Sequence, residues 1–543
     1  MREQLRVALN LIFYQFVERP ITKKVRTLKP IHRGSGATDS ERYLAELADR
    51  TFLDLWSYPN TFNDNRGHKT GDGKELCDLL VVFGNDLLVF SDKSIEWKDN
   101  ADEAISWKRW YKRAVKKSVQ QIRGAERWLK EHPDRIFIDK ACMHPLPIDL
   151  PEVEHRRVHG IAIALGAEEA GQRHFRGNDG SFVIAPAIKG DAHAPKGSEP
   201  CQPFFIGDVD PDGPFVHVFD RRGLDLVMSE LDTVSDFVRY LNHRADAIRS
   251  GKVVIAENEA DLLAFYLQNE DDQGGHVFLV KGERPETKYM IEGGGYERLQ
   301  ARPEYKAKIH ANKNSGAWDK LIRLFTKTVL DGTAIAPPDF DVSARDIERA
   351  LRIMAAEDRT RRRALSGAFI DALETAQSGP HIRFSRSILP AGGDAADPLC
   401  AYVFVFLPFP TDVDLERDYE QYREVRSSIL ATYAYAILRR NKHLKRAIGV
   451  AMEGPNSTDH REGSSEDLLM IEVEEWTQEL ESEIVEREQQ HNVMKEGRVT
   501  YSGMSAQEYP DVSVSPSNPA VRLTRQQRRA AERLAKKGRQ SWP

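Results

Sequence analysis

Apolar residues scattered among polar ones in "MREQLRVALNLIFYQFVERP" read as an amphipathic helix, followed by a basic connector to about residue 33. In "SERYLAELADRTFLDLW" the apolar positions Leu44, Ala45, Ala48, Phe52 and Leu55 fall at helical spacing, and Thr38, Asp39 and Ser40 offer cap side chains. The stretch "GKELCDLLVVFGNDLLVFSDKS" is different. Two apolar runs flank a short polar turn, the pattern of a hairpin. Asn85 and Asp86 both tolerate left-handed dihedrals, and a turn centred on them sets Asp78 opposite Lys93 and Leu80 opposite Ser91. Alternation then places Asp78, Leu80 and Val82 on one face with Val89, Ser91 and Lys93. Both faces are largely apolar, which predicts central strands rather than edges.

A long helix is expected over 102–130, strands at "RVHGIAIALG" and "PFVHVFD", and a helix at "LDTVSDFVRYLNHRADAI". Farther along, "KVVIAEN", "HVFLVKG" and "AYVFVFLPFP" read as strands. "ERDYEQYREVRSSILATYAYAILRRN" and "EEWTQELESEIVEREQQHN" read as helices, and 376–398 reads as a loop. Alternation of this kind predicts a mixed α/β (α+β) class. The expected division is an N-terminal helix and connector (1–33), a first α/β domain (34–250), a second (251–498), and a linker with a basic C-terminal helix (499–543).

At 543 residues the chain is too long for one core. Net charge is −6, so any nucleic-acid surface must be a local basic patch. Four scattered cysteines without a CxxC pair argue against a zinc knuckle and fit reduced thiols, hence an expected cytoplasmic location. No apolar run approaches the roughly 20 residues of a membrane span, so no membrane contact is expected. The tail "RLTRQQRRAAERLAKKGRQ" carries Arg525, Arg528 and Arg529 on a cationic helix, readable as a phosphate contact or as a plain solvated helix.

A carboxylate and an ammonium at the end of an apolar hairpin are costly unless paired or bound to something. Here the residues resemble the PD-(D/E)xK nucleases, the restriction-endonuclease-like superfamily. The resemblance covers about residues 34–165 and rests on Asp78, on Lys93, on Glu41 in an early helix after a Gly-containing start, and on Gln121 in the helix after the hairpin. The family's second carboxylate position is occupied by Ser91. Asp92 stands beside it, on the other face of a regular strand, and a β-bulge at 91–92 would bring it round. Glu41, Glu46 and Glu75 are the other acids within reach, and a degenerate site that only binds is the remaining alternative.

The resemblance implies a restriction-endonuclease-like mixed sheet flanked by helices and a metal-dependent phosphodiester hydrolase. Its Mg2+ or Mn2+ would be held by Asp78, Glu41 and Asp92, with Lys93 acting on water or phosphate and Gln121 steadying the site. The implied substrate is nucleic acid, DNA in the first place, in bacterial DNA processing or phage defence. The competing expectation is a catalytically inactive nuclease fold acting as a nucleic-acid-binding or scaffold module, with a homodimer or a protein partner engaged through the second domain or the tail. A third reading, a regulatory or toxin-like protein acting through 250–495, has no motif behind it. Just after the hairpin, "SWKRWYKRAVKKSVQQIRGAERW" packs Lys108, Arg109, Lys112, Arg113, Lys116 and Lys117 among Trp107, Trp110 and Tyr111. Cations neutralise phosphates and aromatic faces stack on bases, so this helix is readable as a nucleic-acid contact or as a solvated face with Trp110 and Val115 packing the core.

Overall fold

The computed structural model describes residues 12–16, 28–65, 72–176, 179–197, 199–272, 274–335, 344–378, 383–390, 399–409, 415–453, 466–495, 499–500, 502–503 and 506–510. The chain is an α/β protein that divides into two compact units. One comprises Tyr14–Arg302 and Asp319–Arg359; the other comprises Met1–Phe13, Pro303–Trp318 and Thr360–Pro543.

The leading segment departs from expectation. Ile12–Phe16 is a strand, β1, and not part of a helix. A run of branched and aromatic residues, IFYQF, suits a pleated backbone better than a helical one.

The first unit is built on a six-stranded mixed sheet. Helix α1 (Asp39–Thr51) starts at Thr38, whose hydroxyl takes the Glu41 N–H while the Glu41 carboxylate turns back on the Thr38 N–H, a reciprocal capping box. Strands β2 (Ser57–Asn63), β3 (Lys74–Phe83) and β4 (Asp86–Ser94) form an antiparallel meander. Helix α2 (Glu103–Tyr111) runs through a π-helical turn, Lys112–Lys116, into α3 (Lys117–Glu131), so the expected long helix exists with one turn overwidened. Then follow β5 (Ile136–Phe137), β6 (Arg157–Leu165), β7 (Val183–Lys189), β8 (Phe205–Asp208) and β9 (Val216–Phe219). The sheet order is β5-β2-β3-β4-β6-β9, with β6 parallel to both β4 and β9. β3 and β4 are interior strands, as their two-sided apolarity predicts.

Two helices, α4 (Arg221–Glu230) and α5 (Val234–Arg249), lead to β10 (Val253–Ala256), α6 (Glu259–Gln268) and β11 (Tyr289–Ile291). A second sheet has the order β11-β10-β7-β8. Because β10 and β11 join strands that precede residue 250, the expected boundary at 250/251 does not separate the two units. The sheet carries the first unit on through Arg302. "HVFLVKG" is not a strand: His276 makes only an isolated bridge to Glu270. β12 (Ala334–Ile335) pairs antiparallel with β1 through Phe16↔Ala334.

The two faces of the large sheet have different covers. Phe52, at the end of α1, lies 6.1 Å from the Phe90 ring of β4 and 5.2 Å from Phe237 of α5, so α1 and α5 share a face. On the opposite face α3 approaches β6 so closely that a Cβ on Gly160 would sit 2.7 Å from Ile122 Cγ2.

In the other unit, β13 (Phe384–Ile388) lies inside the stretch expected to be a loop. β14 (Cys400–Phe406) crosses through α7 (Leu415–Arg440) to β15 (Arg446–Met452), which lies parallel to it. β16 (Glu466–Glu472) runs antiparallel to β15, and α8 (Gln478–Gln490) follows. Ala401, Val403, Val405, Leu430, Ala434, Leu438, Leu469 and Ile484 pack into this unit's core. The basic tail with Arg525, Arg528 and Arg529 lies outside the described residues.

Candidate active site

The hairpin turns at Gly84-Asn85, one position earlier than expected. Gly84 takes the left-handed conformation (φ 58°) and Phe83 pairs with Asp86. Asp86 is held in the strand by its side chain: Arg157 clamps both carboxylate oxygens at 2.7–2.8 Å, and His159 Nε2 lies 2.8 Å from Oδ1. The register therefore shifts by two, and Asp78 comes level with Ser91 instead of Lys93. A two-residue shift leaves every side chain on its original face. The expected face of Asp78, Leu80, Val82, Val89, Ser91 and Lys93 survives intact.

At the open end the backbone ladder between β3 and β4 stops at Leu79↔Phe90, and a side chain takes over. Asp78 Oδ2 accepts the Asp92 backbone N–H at 2.5 Å and Lys93 Nζ at 3.1 Å. Gln121 on α3 donates to Asp78 Oδ1 at 3.4 Å and receives the Ser91 hydroxyl at 3.0 Å. The sequence-predicted Asp78, Lys93 and Gln121 thus meet, and Ser91 joins them as a hydrogen-bond donor. Asp78 is 2% exposed, whereas the Lys93 side chain is 28% exposed, so the ammonium forms the solvent side of the pair.

Asp92 and Glu41 are placed otherwise. There is no bulge at 91–92: β4 stays in register with β6 from Asp86 to Ser94. Asp92 accordingly faces α1, where Ser40 Oγ donates to its Oδ2 at 2.5 Å and its Oδ1 is buried without a hydrogen-bond partner among the described residues. Burial pushes the Asp92 carboxyl up, and the Asp78 charge adds to it. Glu41 is occupied by its capping box and by the Asn60 amide at 2.9 Å. Burial would raise its pKa, but the donors from Asn60, Ala37 and Thr38 outweigh it and hold the carboxyl below the usual range. Asp78, Glu41 and Asp92 do not bring one oxygen each within 4.8 Å of one another, so the expected three-carboxylate set does not fit a single metal ion.

A bulge does exist, but in β3. Thr61 pairs with Cys77 while the next residue, Phe62, pairs with Glu75, so Leu76 is the extra residue. The extra residue reverses the alternation and returns Glu75 toward the Asp78 face. Burial raises the Glu75 pKa, and the negative charge of Asp78 is the next largest cause. Asn60, between the paired positions Pro59↔Leu79 and Thr61↔Cys77, adopts φ 49° and donates to Glu41 and Glu75. Periodicity could not reveal Glu75, because only the bulge puts an odd-numbered position on an even-numbered face. Glu46 is exposed on α1.

On the neighbouring helix, Trp107, Trp110 and Tyr111 are buried and unavailable for stacking on bases. The Trp107 and Trp110 indole N–H groups donate to the carbonyls of His193 and Ile95. Lys108 donates to the Gly197 and Glu199 carbonyls, and Lys116 pairs with Asp191. Arg109, Lys112, Arg113 and Lys117 are exposed and carry no ion-pair partner among the described residues. Lys117 stands one turn before Gln121. No described helix is long and apolar enough to cross a membrane.

No family model, curated protein or solved structure matches the chain.

Proposed function

We propose that the protein is a metal-dependent nuclease hydrolysing phosphodiester bonds, with its centre at Asp78, Glu75 and Lys93. The observation that carries this reading is the placement of two mutually repelling carboxylates, Asp78 and Glu75, beside one partly exposed ammonium at the open end of a buried hairpin. Two like charges kept together favour a divalent cation, and their hard oxygens suit Mg2+ or Mn2+. When bound, such an ion polarises a phosphate and lowers the pKa of a water. Glu75 replaces Asp92 and Glu41 as partner to Asp78 in holding it. Lys93, fixed by Asp78, places a positive charge where a phosphate or an attacking water would gather negative charge. Gln121, tied to both Asp78 and Ser91, keeps the carboxylate oriented. The unpaired Arg109, Lys112, Arg113 and Lys117 supply the electrostatic attraction for a polyanion.

A second reading, a nuclease fold that binds without cutting, is favoured by a specific observation. Both Asp78 oxygens already accept hydrogen bonds and the residue is almost fully buried. One experiment separates the two. The full chain is incubated with plasmid, linear duplex, single-stranded DNA and RNA in Mg2+, Mn2+ or EDTA, beside Asp78→Asn, Glu75→Gln and Lys93→Ala. Metal-dependent cleavage lost in all three variants supports the nuclease. Salt-sensitive binding without cleavage supports the second reading and overturns the first.

A further inference from the structure

Helices α7 and α8 pack on each other in the second unit, and a surface cavity of about 350 Å³ is lined by both. Glu424, Val425 and Ser428 come from α7; Arg487 and Gln490 come from α8, and His491 caps its end. Both sets recur at three- and four-residue spacing, so each lies on one helix face. Ser428 Oγ lies 3.0 Å from His491 Nε2. A hydroxyl inside a helix often bonds the carbonyl four residues back, as Thr432 does to Ser428 in this same helix. Ser428 instead reaches across to the end of α8. The proposed nuclease centre uses none of these residues.

The imidazole is positioned through its backbone. The His491 backbone N–H donates to the Arg487 carbonyl at 2.9 Å, and Arg383 donates to the His491 and Asn492 carbonyls at 2.8 and 2.9 Å. The Arg383 guanidinium also lies over the Tyr433 ring of α7, 5.5 Å from its centre, so the cap of α8 is tied to α7. Burial draws the His491 pKa down, and the positive charges of Arg383 and Arg487 add to it. The ring is therefore neutral in the physiological range. With its proton on Nδ1 it leaves Nε2 to accept from the Ser428 hydroxyl. A hydroxyl held against a neutral imidazole is the arrangement of an activated oxygen nucleophile. Arg487 and Gln490 bring donors to the same cavity, as a developing oxyanion requires. Val425 is 44% exposed and adds an apolar wall.

We propose that this cavity is a serine-hydrolase site for small neutral carboxylic esters, with Ser428 as nucleophile and His491 as general base and acid. Ser428 Oγ bonds to the carbonyl carbon while its proton passes to His491 Nε2. The ester C–O bond then breaks, and that proton goes to the departing alcohol oxygen. Water, deprotonated by the same nitrogen, attacks the acyl group. The bond to Ser428 Oγ breaks, the proton returns to Oγ and a carboxylic acid leaves. Arg487 and Gln490 meet the oxyanion of each tetrahedral state. Glu424 places a negative charge at the cavity wall, and Arg487 shares its charge with Glu483 at 2.8 Å, which favours an uncharged substrate.

The full chain is tested with p-nitrophenyl acetate as substrate and with diisopropyl fluorophosphate as a covalent label, located by peptide mass mapping. The parent is expected to release nitrophenolate with saturation and to take the label at Ser428. Ser428→Ala should lower turnover about 100-fold or more and take no label there. His491→Gln, which has no base to offer, should lose both turnover and label although Ser428 is still present. That loss separates an activated nucleophile from a merely exposed hydroxyl. No saturable turnover by the parent, no label at Ser428, label undiminished in His491→Gln, or turnover undiminished in Ser428→Ala overturns the proposal. If a variant does not fold, the turnover of the parent and the position of its label decide alone.

Discussion

Removing the Asp78 carboxylate is the sharpest test of how the hairpin end is held. Asp78→Ala leaves three donors without their acceptor: the Asp92 N–H at 2.5 Å, Lys93 Nζ at 3.1 Å and Gln121 Nε2 at 3.4 Å. They are not equivalent. The backbone N–H has no alternative acceptor in a buried strand and should cost about 1–3 kcal/mol. The Lys93 side chain is 28% exposed and can rehydrate, so its loss adds only about 0–1 kcal/mol. The long Gln121 contact contributes least, since that amide can turn to water or to Ser91. The expected total is about 1–4 kcal/mol for Asp78→Ala. Asp78→Asn keeps one acceptor oxygen and should lose about half as much. Urea unfolding followed by the fluorescence of the buried Trp56, Trp107 and Trp110 reads these differences directly. Asp78→Ala within about 0.5 kcal/mol of the parent would refute the view that this carboxylate ends the ladder.

Lys93→Ala should change stability by less than about 1 kcal/mol because the ammonium is partly solvated, while removing metal-dependent cleavage; a folded, fully active variant would contradict its assignment. Gly160→Ala places a methyl against Ile122 and should cost about 1–3 kcal/mol, and pairing it with Ile122→Ala should recover part of that, as measured by thermal unfolding. Burial raises the Asp220 carboxyl to about 6, so the folded state holds its proton more tightly than the unfolded state. Its contribution to stability is present at pH 4 and is lost as pH rises through about 6, so Asp220→Asn should flatten the stability profile across that window. Arg113→Glu with Lys117→Glu should weaken nucleic-acid binding across all sequences and reduce its salt dependence, measured by fluorescence anisotropy in a salt series.

Part of the site was legible because one simple periodicity carries it. Alternation along β3 and β4 puts Asp78 and Lys93 on one face, whereas Gln121 is expected beside them only through the family resemblance. What escaped depends on departures from periodicity. The turn moved because a glycine accepts left-handed dihedrals more easily than Asp86, which Arg157 and His159 claim for the strand. Glu75 reaches the Asp78 face only through the Leu76 bulge, and Asp92 is kept away because the parallel pairing with β6 is unbroken. The aromatics of the basic helix look identical in sequence whether they stack on bases or fill a core, and tertiary packing decided for the core. The division of the chain was hidden for a related reason. Partners such as β7 and β10 are chosen by long-range pairing that no local pattern records.

That division has a consequence for synthesis. The large sheet of the first unit is complete once β9, ending at Phe219, has emerged, yet the same unit takes Asp319–Arg359 as a late component. Between them passes Pro303–Trp318, which belongs to the other unit. At a typical elongation rate of about 5–20 residues per second, roughly 140 residues separate the sheet from its last segment, a wait of about 7–30 s. During that interval the nascent sheet stands without part of its cover while a piece of a second core is already outside the ribosome. Neither unit can be excised by one cut, and each matures only when the chain has returned to it.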